Sequence, residues 1–561
     1  MTPAPEIHDL SLRESIGDFV TFHVRSDELA EGVRLLDRVG FASIDAFGGT
    51  TFLPTMKVLG EDPWQRLRGI RRAVTHTPLQ AVLRGRLVFS ARPAPPGTIR
   101  AALAHLRDIG VDRIKVADIG LDLLGARDVV AMAKDEGFHV TPFLPINWGK
   151  RAEACRSLTE AAAEYAAAGA DAIGVQDPFG VLNPIDLGEL VRAAEASCPL
   201  PLRLHLHDAN FLAVAGVQAA FQAGAAAADT TISALAWAYS PPHAEAVVMA
   251  LRGGPWDPGI DLGRLEEASV WFEGLKARKG FLYRELYGVD HGALRGELPV
   301  GVRRALEDEL RERGRTDLAE AAWKEVPNVW EALGKPPFLN PLVRAVCSQA
   351  IDNVLAASPF TRLEPKVAAY LRGDYGPPPP ETQPDLIARA REEETSASAF
   401  LPNAEELDAE DFGSEDDRLT YAMFPQIAEE FFRLRESGGA GSSAPEMYST
   451  SAEAGAPLEA LIPRRLTVKR QGEAYEVVLE GMGPKEWGKR SFFLRIGGQV
   501  ARLDVVLPAP DAPPLYTVHH HGHRHQVEFV DVLAPGRESV PVLLKEDGHL
   551  REVLFSFPHS L

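Results

Sequence analysis

Eight times in the first 250 residues, a short apolar segment rich in β-branched and aromatic residues precedes a longer stretch of Ala, Leu and Arg at helical spacing. The short segments are IHDLSLR (7–13), FASIDAF (41–47), LQAVLR (79–84), DRIKVAD (112–118), FHVTPFL (138–144), DAIGVQD (171–177), LRLHLHD (202–208) and AADTTIS (227–233). Helical stretches such as DELAEGVRLLDRVG and TIRAALAHLRDIG end in Gly just before the next strand, where a helix C-cap needs a left-handed residue. Strands separated by helices cannot pair as hairpins, so the alternation predicts a parallel sheet. Eight units predict an α/β fold, the closed TIM (β/α)8 barrel. An open doubly wound sheet is the other solution, but no GxGxxG or GxxxxGK phosphate loop supports it.

The 561-residue chain is long enough for several domains, and its hydrophobic fraction of 45% suits a globular core. Residues 265–375 read as mainly helical, and YGPPPPETQP breaks the pattern. The acidic run 392–417 is expected to be poorly ordered. Helical spacing returns in LTYAMFPQIAEEFFRLRE, and SGGAGSSAPEMYSTSAEAGAP has the composition of a flexible linker. From about 463, alternating strands with Gly-containing turns predict a small all-β domain. The expected domains are a barrel (1–290), a helical C-terminal extension (291–436), a linker (437–462) and the β domain (463–561).

A net charge of −20 argues against a nucleic-acid partner or an anionic membrane, which need clustered cations. No window approaches the roughly 18 apolar residues of a membrane helix. The N-terminus lacks the basic-then-apolar pattern of a signal peptide. Three scattered cysteines, Cys155, Cys198 and Cys347, form no disulfide framework or CxxC metal motif, which fits a reducing cytoplasm.

In such a barrel, chemistry gathers at the C-terminal ends of the strands. Arg13, Glu14, Asp45, Arg84, Asp118, Asp177, His205, His207 and Asp208 all fall there. In HLHD, the period of two puts His205 and His207 on one side of the strand. Two imidazoles near a carboxylate such as Glu14 suit a divalent cation; two hydrogen-bonded core histidines are the bland alternative. Arg13 either neutralises an anionic substrate or pairs with an acid. Arg84 either grips a substrate carboxylate with two N–H groups or forms a salt bridge to an acid such as Asp118. His519, His520, His521, His523 and His525 flank a turn at Gly522 and read as surface hairpin residues. Trp64 reads as a packing residue at a helix start.

Several stretches together resemble the carboxyltransferase module of biotin-dependent enzymes, the family of pyruvate carboxylase and the oxaloacetate decarboxylase alpha subunit. LSLRES stands where that family has T-L-R-D-A-H-Q. EDPWQRLRGIRRAVTHTPLQAVLRG, HLHDAN, PKVAAYLRGDYGPPP and SEDDRLTYAMFPQIAEEFF each resemble its segments, so the similarity covers about 7–435. The terminal β region resembles the module before the biotin carrier in the decarboxylase subunits. The resemblance implies a TIM barrel with a helical funnel. It implies transfer of a carboxyl group between carboxybiotin and pyruvate or a related 2-oxo acid, at a divalent metal of the Zn, Mn or Co class that stabilises the enolate. It implies Glu14, His205 and His207 as metal ligands and Arg84, with Arg13, as the grip on the 2-oxo acid. It also implies a homodimer and a partner chain, a biotin carrier protein or biotin carboxylase subunit, since no A/V-M-K-M biotinylation motif occurs.

The same comparison marks departures. The family's carbamylated lysine falls on Gln176, which offers only a neutral carbonyl oxygen. Its catalytic glutamine falls on Gly17, a neighbouring histidine on Ile16, and its proton-shuttling threonine on Tyr239. Its G-Q-N…G-Y-R run becomes GRLVFSAR at 85–92. Arg13, Arg84, Gln176 and Tyr239 are therefore the catalytic positions to examine. Three functions fit: the carboxyltransferase, a non-catalytic homologue that assembles with a carboxylase, and a biotin-independent metal lyase or aldolase acting on a small carboxylate.

Overall fold

The structure, a computed structural model, describes residues 4–117, 122–145, 154–237, 240–279, 281, 298–356, 358–392, 401–408 and 411–436, and the backbone of eight strands between 465 and 556. It divides into two compact units. One is Met1–Thr55, Glu61–Leu310 and Asp317–Leu434; the other is Met56–Gly60, Arg311–Thr316 and Arg435–Leu561.

In the first unit, β1 (Glu6–Asp9), β2 (Ser43–Gly48), β3 (Leu79–Leu83), β4 (Arg113–Ala117), β5 (His139–Pro145), β6 (Ile173–Asp177), β7 (Leu202–Leu206) and β8 (Ala227–Thr230) pair in sequence order. All pairs are parallel, and β8 closes onto β1. Each strand is followed by a helix: α1 (Ser26–Asp37), α2 (Pro63–Ala73), α3 (Pro96–Ile109), α4 (Leu123–Asp135), α5 (Ala154–Ala167), α6 (Pro184–Glu195), α7 (Ala213–Ala223) and α8 (Ala244–Leu251). This is the TIM barrel that the alternation predicts. Local chemistry sets the helix ends. Asp62 accepts from the backbone N–H groups of Trp64 and Gln65 ahead of Pro63, and Asn183 does the same for α6 ahead of Pro184. Gly110 and Gly224 end α3 and α7 in the left-handed region.

The strands turn their apolar side chains outward and many polar ones inward. On β7, Leu202, Leu204 and Leu206 are buried, while Arg203 and His205 alternate with them. Register carries that parity round the barrel: Gln176 pairs with His205, Gly174 with Arg203, and His8 with Asp229. The interior is thus a charged, hydrogen-bonded core rather than the usual layers of branched apolar residues.

Several strands are shorter than their sequence patterns. β1 stops at Asp9, not at residue 13, because the Asp9 carboxylate accepts from the backbone N–H and hydroxyl of Ser11 and turns the chain. Arg13 and Glu14 therefore stand in a turn, both of their N–H groups bonded to the Leu10 carbonyl.

Beyond the barrel come α9 (Leu262–Arg278), α10 (Val300–Glu312), α11 (Ala319–Ala332), α12 (Leu342–Leu355), α13 (Pro365–Arg372), α14 (Pro384–Glu392), α15 (Glu415–Met423) and α16 (Pro425–Glu436). Leu306, Val326, Trp330, Val346 and Leu371 share one core with Val82, Leu87 and Ala117, at the C-terminal ends of β3 and β4. The extension is thereby anchored on the mouth side of the barrel.

The expectation of poor order across 392–417 is overturned for its described residues. Ser414 caps α15. Asp416 takes two bonds from Arg68, at 2.6 and 2.8 Å, and lies 2.7 Å from His105 Nε2. Arg68 on α2 and His105 on α3 so hold this part of the acidic run in place. Trp64, which fills an aromatic cluster with Phe47, Phe52 and Phe89, donates its indole N–H to Thr420 at 3.1 Å.

The second unit carries eight antiparallel strands: β9 (Arg465–Arg470), β10 (Glu473–Glu486), β11 (Lys489–Ile496), β12 (Gln499–Val506), β13 (Leu515–His520), β14 (His523–Phe529), β15 (Ser539–Glu546) and β16 (His549–Ser556). β9 pairs with both β10 and β16, so the sheet closes and leaves no free edge. His520 and His523 are register partners across the β13–β14 hairpin; His521 and Gly522 lie outside the described residues.

Candidate active site

Two elements converge at the mouth. The turn after β1 brings Glu14, and the end of β7 brings His205 and His207. Glu14 Oε2 lies 3.4 Å from His205 Nε2 and 3.4 Å from His207 Nε2, and the two nitrogens are 3.2 Å apart. Ligand bonds of about 2.0–2.2 Å to one cation require donor separations of about 3.0–3.4 Å. The spacing of the triangle therefore suits a single divalent ion. Glu14 Oε2 is buried with no hydrogen-bond donor, an orphan that a cation would satisfy.

A second layer orients these groups. Asp229 Oδ2 lies 2.8 Å from His205 Nδ1 and accepts from Lys115 Nζ at 3.1 Å. Asp229 and Lys115 both hold His205 at Nδ1, at 2.8 and 3.0 Å, and so turn Nε2 toward Glu14 and His207. Asp229 Oδ1 accepts from Arg203 Nε at 2.6 Å and forms an ion pair with the same guanidinium through Nη2. Arg203 donates to Gln80 Oε1 at 2.8 Å, and Gln80 donates to Asp45 Oδ2 at 3.3 Å. Asp45 accepts two bonds from Arg13, at 3.0 and 2.9 Å, and Arg13 reaches Glu14 Oε1 at 2.6 Å. One hydrogen-bonded chain thus runs through the barrel from His205 to Glu14.

The charges follow from this packing. Burial pushes the Glu14 carboxyl up, but Arg13, His205 and His207 outweigh it and hold it well below the usual carboxylate range. Burial acts the same way on Asp229 and is outweighed by Arg203, Lys115 and the bond from His205. Burial, then Lys115, lowers His205 to about 4, which keeps it neutral as a ligand must be.

Arg84 is different. Among the described residues its guanidinium has no hydrogen bond and no ion pair. Burial, and then Arg13 nearby, draw it down to about 10. Gly49 leaves room for it, since a Cβ there would come within 3.1 Å of Arg84 Cζ. An enclosed guanidinium without a protein partner has N–H groups with which an anion could bond. Asp118, its alternative partner, lies outside the described residues, as does Tyr239. Arg13 takes the other of its two readings and pairs with acids.

Gln176 shares the inner-face parity of His205, and among the described residues its amide has no protein partner. Asp177 is structural: it accepts from the N–H groups of Phe179 and Leu182, forming the turn after β6. That turn needs Gly180 at φ +60°, because a Cβ would lie 2.7 Å from the His207 carbonyl oxygen. Asp208 holds the start of α7 through Ala213 N–H at 3.0 Å. The sequence reading brings Glu14, His205, His207, Arg13, Asp45 and Arg84 to one mouth and misses Lys115, Arg203, Asp229 and Gln80. A usable signal existed for Arg203, a lone cation two residues before His205 and so in phase with it.

Two family models match the chain: HMGL-like over residues 5–271, and a conserved carboxylase domain over 294–482. A pyruvate carboxylase subunit of Methanocaldococcus jannaschii is 30% identical over 487 residues, covering 85% of this chain and 84% of that protein. The 2-oxoglutarate carboxylase large subunit of Hydrogenobacter thermophilus is 28% identical, covering 97% and 88%. The solved carboxyltransferase domain of Rhizobium etli pyruvate carboxylase with pyruvate has the same fold, with a TM-score of 0.69 at 22% identity over 91% of this chain and 89% of that one. Among the described residues, no helix is long and apolar enough to cross a membrane.

Proposed function

This chain belongs to the family of the carboxyltransferase-type pyruvate carboxylase subunits, and on that footing we propose that it moves a carboxyl group between a biotin carrier on a separate chain and a small 2-oxo acid of the pyruvate/oxaloacetate class. The observation that carries the reading is the ligand triangle of Glu14, His205 and His207, sharing one mouth with the unpaired guanidinium of Arg84. A divalent cation of the Zn, Mn or Co class held there would polarise the 2-oxo group as a Lewis acid. Arg84 grips the carboxylate next to that group with two N–H donors. Arg13, tied to Asp45 and Glu14, positions the ligand carboxylate and adds positive charge to the mouth. Gln176 meets the substrate or cation as a neutral oxygen, and Tyr239 replaces the family's proton-shuttling threonine in the chemistry of the second substrate. A biotin carrier or biotin carboxylase chain completes the assembly, and the chain works as a cytoplasmic homodimer with domains bounded near 290, 436 and 462.

Gln176 itself favours a second reading. A centre with one carboxylate and two imidazoles resembles that of a metal lyase that needs no biotin.

One assay separates the two: oxaloacetate decarboxylation by the purified protein with divalent metal, with and without free biotin. A biotin-stimulated rate that vanishes in the His205→Ala, His207→Ala variant supports the carboxyltransferase. A metal-dependent rate indifferent to biotin selects the lyase. No rate from folded protein refutes both and leaves the non-catalytic scaffold.

A further inference from the structure

Lys115 ends one imidazole ring away from the ligand triangle, where it is only 1% exposed. Its Nζ lies 3.0 Å from His205 Nδ1, donates to Asp229 Oδ2 at 3.1 Å, and stands 4.0 Å from the centre of the Phe143 ring. Phe143 can take that position because Gly174 on β6 has no side chain: a Cβ there would lie 2.2 Å from Phe143 Cδ1. The face of the ring gives an enclosed ammonium part of the electrostatic contact that water gives outside.

His205 Nδ1 therefore has two neighbours of opposite charge, Asp229 at 2.8 Å and Lys115 at 3.0 Å. They act on the imidazole in opposite directions. A carboxylate at the far nitrogen makes a ligand histidine a stronger electron donor. An ammonium at the same nitrogen draws the charge of that carboxylate to itself and makes the histidine a weaker donor. The hydrogen-bonded chain through the barrel holds the cations Lys115, Arg203 and Arg13 and the carboxylates Asp229, Asp45 and Glu14, so charge within it cancels. The triangle itself has one carboxylate and two imidazoles. A dication held by that set keeps most of its own charge.

We propose that Lys115 is a positioning residue that tunes this centre: it keeps His205 a weak electron donor, so that a divalent cation on the triangle is held loosely and stays a strong Lewis acid toward the 2-oxo group. The proposal rests on the metal-dependent 2-oxo acid reading above. Lys115 acts through His205 and Asp229, not on the substrate.

The test uses the full chain. Lys115→Met and Lys115→Gln remove the charge, and Lys115→Arg keeps it; melting temperature shows which variants are folded, and either neutral one suffices. Zn2+ affinity is read by chelator competition without substrate. Turnover is read by NMR as exchange of the C3 protons of pyruvate in D2O at saturating Zn2+. Two positive charges one ring apart repel strongly in a protein interior, so the neutral variants should bind Zn2+ at least about tenfold tighter. With the cation less electrophilic, kcat for exchange should fall about tenfold or more while KM for pyruvate stays within about threefold. K115R should stay within about threefold of the parent in both. A lysine that only holds the interior together gives the opposite sign, weaker Zn2+ binding in step with a lower melting temperature. Zn2+ affinity unchanged or weakened in a folded neutral variant, or an unchanged kcat beside tighter binding, overturns the role of Lys115 alone. A parent that binds Zn2+ but exchanges no protons overturns the 2-oxo acid reading, and the affinities still decide whether Lys115 loosens the cation. A parent that binds no Zn2+ overturns both.

Discussion

Asp229→Asn tests the interior network most severely. Asp229 accepts from Arg203 Nε and from Lys115, pairs its charge with both cations, and holds His205 at 2.8 Å. All four residues are buried, Arg203 at 2% and Lys115 at 1% exposure. The amide keeps one acceptor oxygen but removes the charge that two enclosed cations share. Stranding a buried charge costs about 3–5 kcal/mol, and that is the expected loss of unfolding free energy at pH 7. Adding Lys115→Met removes one stranded cation, so the double variant should recover about 1–2 kcal/mol relative to D229N. The sign with pH is fixed by the depressed carboxyl. Its stabilisation is fully present above the unfolded value of about 3.9 and is lost as pH falls through the lower folded value. The gap between parent and variant should therefore be constant from pH 7 to about 5 and narrow only below about 4. Chemical denaturation followed by circular dichroism measures each number. Chelator competition should show divalent-metal affinity down about 10–100-fold, because His205 loses its orienting partner. A loss under about 1 kcal/mol, or no recovery in the double variant, would refute the idea that Asp229 is the hub.

Three further outcomes follow from single contacts. Arg84→Met should raise unfolding free energy by about 2 kcal/mol, since it removes an enclosed guanidinium with no partner, while 2-oxo acid affinity by calorimetry drops at least about tenfold; a destabilised variant would show that Arg84 is paired after all. Gln176→Glu should raise divalent-metal affinity about tenfold or more, because an anionic oxygen joins the same inner face as His205; unchanged affinity places that side chain away from the ligand triangle. Gly180→Ala should cost about 1–3 kcal/mol and weaken metal binding together, since its Cβ would press on the His207 carbonyl; a thermal shift without loss of metal would separate the turn from the site.

Much of this protein is legible in its sequence because the relevant physics is local. A strand that alternates Leu with Arg and His can bury only one kind on each side, so LRLHLHD already places His205 and His207 together. Eight such segments separated by capped helices leave few ways to form a parallel sheet other than a closed ring. Where the sequence pattern overran, at Leu10–Glu14, the stop was set by an Asp–Ser turn that competes with strand pairing. The supporting chemistry is of another kind. Lys115 meets Asp229 across 114 positions and His205 across 90, and Asp416 reaches His105 across 311. Nothing in the neighbourhood of any of these residues names its partner, because ring closure alone brings β4, β7 and β8 to a common interior. Sequence determined which side chains point into the barrel. Only the tertiary structure decided which of them neutralise each other, and so which few, Arg84 and the free oxygen of Glu14, are left without a protein partner among the described residues.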